Sequence, residues 1–132
     1  MTWFIEGGPW MYVILATDLL VGPAAAVVFL IVVVSRFVPA ARWPARTLAA
    51  LVMACTFLPL LEGVVGWQSG LALMEAALAN APGDMKDAMR MQGEALAMLP
   101  LYFGLGSSLV LGLGGLVSAT IAAVPHGAPT ES

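Results

Sequence analysis

Residues 95–124 read ALAMLPLYFGLGSSLVLGLGGLVSATIAAV and contain no Asp, Glu, Lys or Arg. At the helical rise this stretch spans roughly 45 Å, against a bilayer hydrocarbon core about 30 Å thick. So long an apolar run without charge is a membrane helix before it is anything else. The alternative is a helix sheathed on all sides by a soluble core, and a chain of 132 residues is too short to supply that sheath. Composition points the same way. The chain is 61% hydrophobic and 10% charged, whereas soluble domains are about a quarter charged. The expected fold is all-α: a single integral membrane domain, 1–132, with three transmembrane helices and a short extracytoplasmic helical segment before the third.

The boundaries follow from turn and charge signals. The first helix is expected over about 9–37, opened by Pro9, which suits a first helical turn. Trp3, Phe4, Trp10 and Tyr12 place residues 2–6 in the membrane interface. A loop over 38–46 follows; with the residues just before it, it carries Arg36, Arg42 and Arg46, three of the five basic residues, and no acid. Short basic loops stay on the cytoplasmic side, so the N-terminus is expected outside and the C-terminus inside. The second helix is expected over about 47–74 with Thr47 as its cap, and Trp67 and Gln68 at the outer interface. The string NAPGD at 80–84 breaks the chain. A turn and short helix over 75–94 then present alternating charges, with Asp84 as a cap and Asp87 pairing with Arg90. The third helix fills 95–124, and 125–132 is a short polar tail.

Two intramembrane carboxylates and two faces of small residues are the features that go beyond a bare membrane anchor. Asp18 lies in the first helix, where it is either an interhelix carboxylate or a shallow group reaching for the interface. Glu62 lies in the second, bracketed by Pro59 and Gly63, some 22 Å along the helix and so toward the outer leaflet. Ionisable residues inside a membrane are functional candidates by default; the plain reading of Glu62 is a structural carboxyl, protonated or hydrogen-bonded to a neighbouring helix. In the last helix Gly104, Ser108 and Gly112 stack at four-residue spacing, and Ser107, Gly114, Gly115 and Ser118 form a second small face. Small faces such as these let helix backbones approach closely in lipid, and sister copies of the chain are the expected neighbours.

Several classes are excluded or disfavoured. Five basic residues make no nucleic-acid footprint. Cys55 is single and reads as a small buried hydrophobe; His126 is alone, so no metal site, cofactor or catalytic set is expected, and the chain is not read as an enzyme. The start, MTWFIEGGPW, has no basic residue and reads as mature sequence rather than a signal peptide.

Three strings in order, GGPWMYVIL at 7–15, PLLEGVVGWQSGL at 59–71 and APGDMKDAMRMQGEAL at 81–96, together with the three-helix layout, resemble the MotA/TolQ/ExbB proton-channel family. The resemblance covers most of residues 4–118. It implies a multi-pass subunit of the bacterial inner membrane, a homo-oligomeric ring, five copies by analogy, and a single-span partner of the ExbD/TolR/MotB kind at its centre. It also implies an ion path between the second and third helices. The threonines that line that path in the family are replaced here by Gly66 or Trp67 and by Met98 and Leu99. The polar groups left to build a path are Glu62, Asp18, Thr56, Ser107 and Ser108, while Gly104, Ser108, Gly112 and Gly115 pack the helices. The family's large insertion between its first two helices is reduced to residues 35–46. A non-conducting membrane oligomer that scaffolds a partner complex is the alternative. A rotary ion-carrier ring, suggested by GLGSSLVLGLGG plus a membrane Glu, is disfavoured by the third helix.

Overall fold

The computed structural model describes residues 8–38, 40 and 42–124. The interfacial placement of residues 2–6, the polar tail at 125–132 and His126 lie outside the described residues. Every regular element among the described residues is helical: α1 (Pro9–Val34), α2 (Arg42–Cys55), α3 (Leu58–Ala79), a 3-10 turn (Gly83–Met85), α4 (Lys86–Ala97) and α5 (Leu99–Ala123). α2 with α3, and the 3-10 turn with α4 and α5, run on as continuous rods. Three rods result, each long and apolar enough to cross a membrane: Pro9–Val34, Arg42–Ala79 and Gly83–Ala123.

Local chemistry explains where the elements begin and end. Gly8 takes a φ of 72°, a conformation that costs glycine little, and turns the chain into Pro9 at the first helical position. α1 stops at Val34, short of the expected 37. The Ser35 hydroxyl donates to the Val32 carbonyl at 2.7 Å, and residues 35–37 close turns instead of continuing the helix. Val38 precedes a proline, which disfavours helical backbone there. α2 opens at Arg42 rather than at 47, with Pro44 in the first turn, where no amide is needed. Thr47 therefore caps nothing; its hydroxyl bonds back to the Trp43 carbonyl at 3.2 Å.

The expected second helix is longer than 47–74 and is broken. Its rod reaches Ala79 and is interrupted at residues 56 and 57, just ahead of Pro59. Asp84 does not cap α4, since the 3-10 turn intervenes and Met85 holds the cap position without a side-chain bond. Arg90 pairs with Glu94 at 3.3 Å rather than with Asp87, the i,i+4 geometry winning over i,i+3. The expected third helix divides at Met98, so residues 95–97 belong to α4, and Pro100 falls in the first turn of α5.

Glycines set the closest approaches. A methyl group at Gly104 would run into the Pro59 carbonyl oxygen and come within 3.1 Å of Gly63 Cα. One at Gly63 would stand 2.7 Å from the Pro100 carbonyl oxygen, and one at Gly66 would stand 2.8 Å from Pro100 Cβ and 2.9 Å from Trp10 Cβ. Gly115 lies against Met53, and Gly112 faces Thr56. The small face of α5 at Gly104, Ser108, Gly112 and Gly115 is thus occupied by α2 and α3 of the same chain. This corrects the expectation that sister copies fill it: the carbonyl edge at the Pro59 break needs a partner surface without side chains, and Gly104 is that surface. By contrast, a methyl at Gly22, Gly106 or Gly114 would meet nothing within 4 Å.

A second core lies toward the other end of the bundle, where Val28, Val32, Ala45, Ala49 and Val52 are buried against Ile121 and Ala122. The outer surface is apolar: Leu20 is 75% exposed, Val110 72% and Leu113 65%. A soluble monomer rarely leaves so much contiguous apolar surface uncovered.

Gly104→Val should destabilise the chain by at least about 1–3 kcal/mol, the usual cost of overpacking, in detergent-unfolding titrations followed by circular dichroism. Gly106→Val, on the same helix but facing open space, should stay within roughly 0.5 kcal/mol of wild type. Equal effects of the two substitutions would contradict the packing described here.

Candidate intramembrane polar site

α1 is apolar from Val13 to Val34 except for one dipeptide, Thr17-Asp18. Adjacent residues on a helix point about 100° apart, so the pair addresses two neighbours at once. The Thr17 hydroxyl donates to Glu62 Oε1 on α3 at 2.7 Å. Asp18 Oδ2 accepts from the Ser107 hydroxyl on α5 at 2.6 Å. The third side is closed by the other adjacent pair, Ser107-Ser108, because the Leu60 N–H on α3 donates to Ser108 Oγ at 2.9 Å. Three hydrogen bonds thus join α1 to α3, α1 to α5 and α3 to α5, forming a triangle of polar contacts near the middle of the second and third rods and in the N-terminal half of α1.

The Leu60 bond arises from the break. In an unbroken helix Leu60 would donate to the carbonyl of Thr56, and Pro59 would have to donate to that of Cys55, which it cannot. The chain leaves the helix at residues 56 and 57, and the freed Leu60 amide finds Ser108. Thr56 is 1% exposed and its hydroxyl bonds to the Met53 carbonyl at 2.7 Å. That bond steadies the end of α2.

Each carboxyl is half satisfied. Asp18 Oδ1 and Glu62 Oε2 are buried and have no hydrogen-bond partner among the described residues. Such atoms are uncommon, and each calls for an explanation. The Trp67 indole Nε1 is likewise buried and without a partner among the described residues, which places that ring edge against the neighbouring helices.

All five sequence-derived polar candidates are therefore located. Glu62, Asp18, Ser107 and Ser108 come together in one cluster, while Thr56 sits beside it with its hydroxyl committed to the backbone. Asp18 does not reach for the interface; Ser107 holds it inward. Glu62 sits at the level of Thr17, which lies in the N-terminal half of α1. Of the Pro59–Gly63 bracket, Pro59 follows the break at residues 56 and 57 and Gly63 is pressed onto α5. Thr17 was not among the candidates. Its signal was available: a polar dipeptide inside an otherwise apolar run.

The fold and site define a class: a helical chain of three membrane-length rods tied together by hydrogen bonds, two of them through carboxyls. Compared with family models, curated proteins and solved structures, the chain gives no match.

A double-mutant cycle on Thr17→Val and Glu62→Leu should give a coupling of about 0.6 kcal/mol, the average for hydrogen bonds between membrane helices, and no more than about 1.7 kcal/mol, the largest value. Detergent-unfolding titration of the four proteins provides the measurement. Strict additivity would mean that the pair does not hold α1 to α3.

Proposed function

We propose that the three rods cross a membrane and that the chain is a subunit of a homo-oligomeric proton channel of the MotA/TolQ/ExbB kind, coupling ion-motive force to work on a single-span partner. The observation that carries this reading is the pair of half-buried carboxyls, each with one buried oxygen that has no partner among the described residues. In hydrocarbon an ionisable side chain is costly and is retained where it serves a pathway. Glu62 is the proton-carrying group in this reading: Thr17 fixes Oε1, and Oε2 takes and gives the proton. Asp18, held by Ser107, is the second carrier. Ser108 keeps α3 and α5 in register by accepting the Leu60 amide.

The membrane is the bacterial inner membrane, with the arginine loop and C-terminus cytoplasmic and the N-terminus outside, as the charge distribution favours. The α3–α4 connection would then be extracytoplasmic. Copies of the chain assemble into a ring, five by analogy with the family. Because the Gly104 face is spent inside the chain, the open positions Gly22, Gly106 and Gly114 are the sites left for close approach of another helix. Protonation changes the charge at the cluster, and a partner that interacts differently with the two charge states is displaced by the change.

A second reading is favoured by the closure of the hydrogen-bond triangle. Bonds that join every pair of the three rods are also what a non-conducting scaffold needs, and in that case the carboxyls serve as interhelix ties.

Proton flux separates the two. In liposomes carrying the chain with its partner, Glu62→Gln should abolish flux and Asp18→Asn should reduce it, with the helical circular dichroism of both variants unchanged. Wild-type liposomes without flux would favour the scaffold, and flux that survives Glu62→Gln would remove Glu62 from the pathway. Native mass spectrometry in mild detergent should give a closed ring, five copies in this reading; a stable monomer would count against both.

A further inference from the structure

The arginine end of the bundle carries a second feature, unrelated to the carboxyls. Arg36 Nη1 donates to the Val124 carbonyl at 3.3 Å, and Arg46 Nε donates to the Ala122 carbonyl at 3.2 Å. Both guanidiniums thereby lie over the C-terminal end of α5, the negative end of its dipole. A guanidinium has five N–H donors, so one backbone bond leaves most of each group's capacity unspent. Arg42 stands one turn from Arg46 on α2, on the same face, and its buried Nε has no partner among the described residues. No acid occurs in residues 19–61 or 95–124, the stretches that build this end. Three cations therefore gather with no carboxylate from those stretches to offset them.

Arg46 is also the rim of an open groove between α2 and α5. The other walls are Ala49, Ala50, Ala119, Ala122 and Ala123, and the volume is about 430 Å³. That lies within the roughly 300–1,000 Å³ of small-molecule clefts. Alanines on both helices keep the groove hollow and apolar, while its rim is cationic.

We propose that this groove binds one anionic phospholipid, with its acyl chain along the alanine walls and its phosphate on Arg46 and Arg42. The combination selects the ligand. A free phosphate would use the cations and leave the groove unfilled; a neutral lipid would fill the groove and leave the cations without a counter-charge among the described residues. An amphiphile with a negative head uses both, as basic pockets between membrane helices do for anionic head groups. The inference rests on the reading that the three rods cross a membrane. It does not depend on proton conduction.

The test is native mass spectrometry of the full chain, extracted in mild detergent and equilibrated with equal amounts of phosphatidylglycerol and phosphatidylcholine of the same acyl composition. Wild type should retain phosphatidylglycerol several-fold over phosphatidylcholine. Arg42→Gln with Arg46→Gln should bring the ratio near one. Ala119→Leu, which fills the groove and leaves every charge in place, should lower retention several-fold, with Ala50→Leu as the second groove variant if circular dichroism shows the first to be misfolded. Lys86→Gln, at the start of α4, should change nothing. Loss of the preference in the arginine variant with full retention in both groove variants would reduce the site to a charged surface and overturn the proposal. So would displacement of the lipid by excess inorganic phosphate, or a preference untouched by the arginine substitutions. Carbonate extraction of the same membranes reports the spanning reading separately: release of the chain into the soluble fraction would refute that reading, whatever the adducts show.

Discussion

Pro59 has no amide hydrogen, and the arrangement of this chain follows from that. The helix that starts at Arg42 cannot pass through Pro59 intact, so it breaks at residues 56 and 57 and resumes at Leu58. The break leaves a backbone amide, that of Leu60, without its helical acceptor, and the Pro59 carbonyl lies on the flank of the rod that faces α5. Ser108 meets the first and Gly104 packs against the second. These residues are four apart on α5, one above the other on a single face. Together they fix both the height and the rotation of α5 against α3. With α5 fixed, Ser107 faces α1 at the level of Asp18, and Glu62, three residues beyond Pro59, faces Thr17.

This geometry uses the backbone defect to position side chains. In an apolar surrounding an unmet amide or carboxyl costs far more than in water, so each polar group acts as a strong constraint on its neighbour. The triangle of bonds therefore specifies registry among the three rods. The two oxygens left without described partners are the part of the cluster that this structural role does not account for. They are the reason the functional reading centres on the carboxyls and not on the serines.

Much of this was legible in the sequence, and the reasons are physical. Apolar runs and charge-free lengths give the three rods directly, because insertion depends on composition more than on contacts. Glu62, Asp18, Ser107 and Ser108 stand out because polar residues are rare in such runs. The contacts of the small face of α5 were misjudged. Glycine spacing marks a close approach but carries no record of which helix approaches, and the proline that supplied the answer lies 45 residues earlier in the chain. Thr17 was passed over because a lone threonine in a membrane helix usually bonds its own backbone, as Ser69 and Thr120 do here. Helix ends were shifted for local reasons: Pro44 tolerates an earlier start than a Thr47 cap suggests, and Ser35 stops α1 through its own side chain.

The hydroxyls that hold both carboxyls belong to the same chain as the carboxyls themselves. In any assembly of copies, each would bring its own Thr17 and Ser107 donors. A damaged copy would then lose its own carboxyl geometry and leave that of the others untouched. In mixtures of wild-type and altered chains, local function would decline in proportion to the altered share, and any steeper loss would have to originate in how the copies fit together.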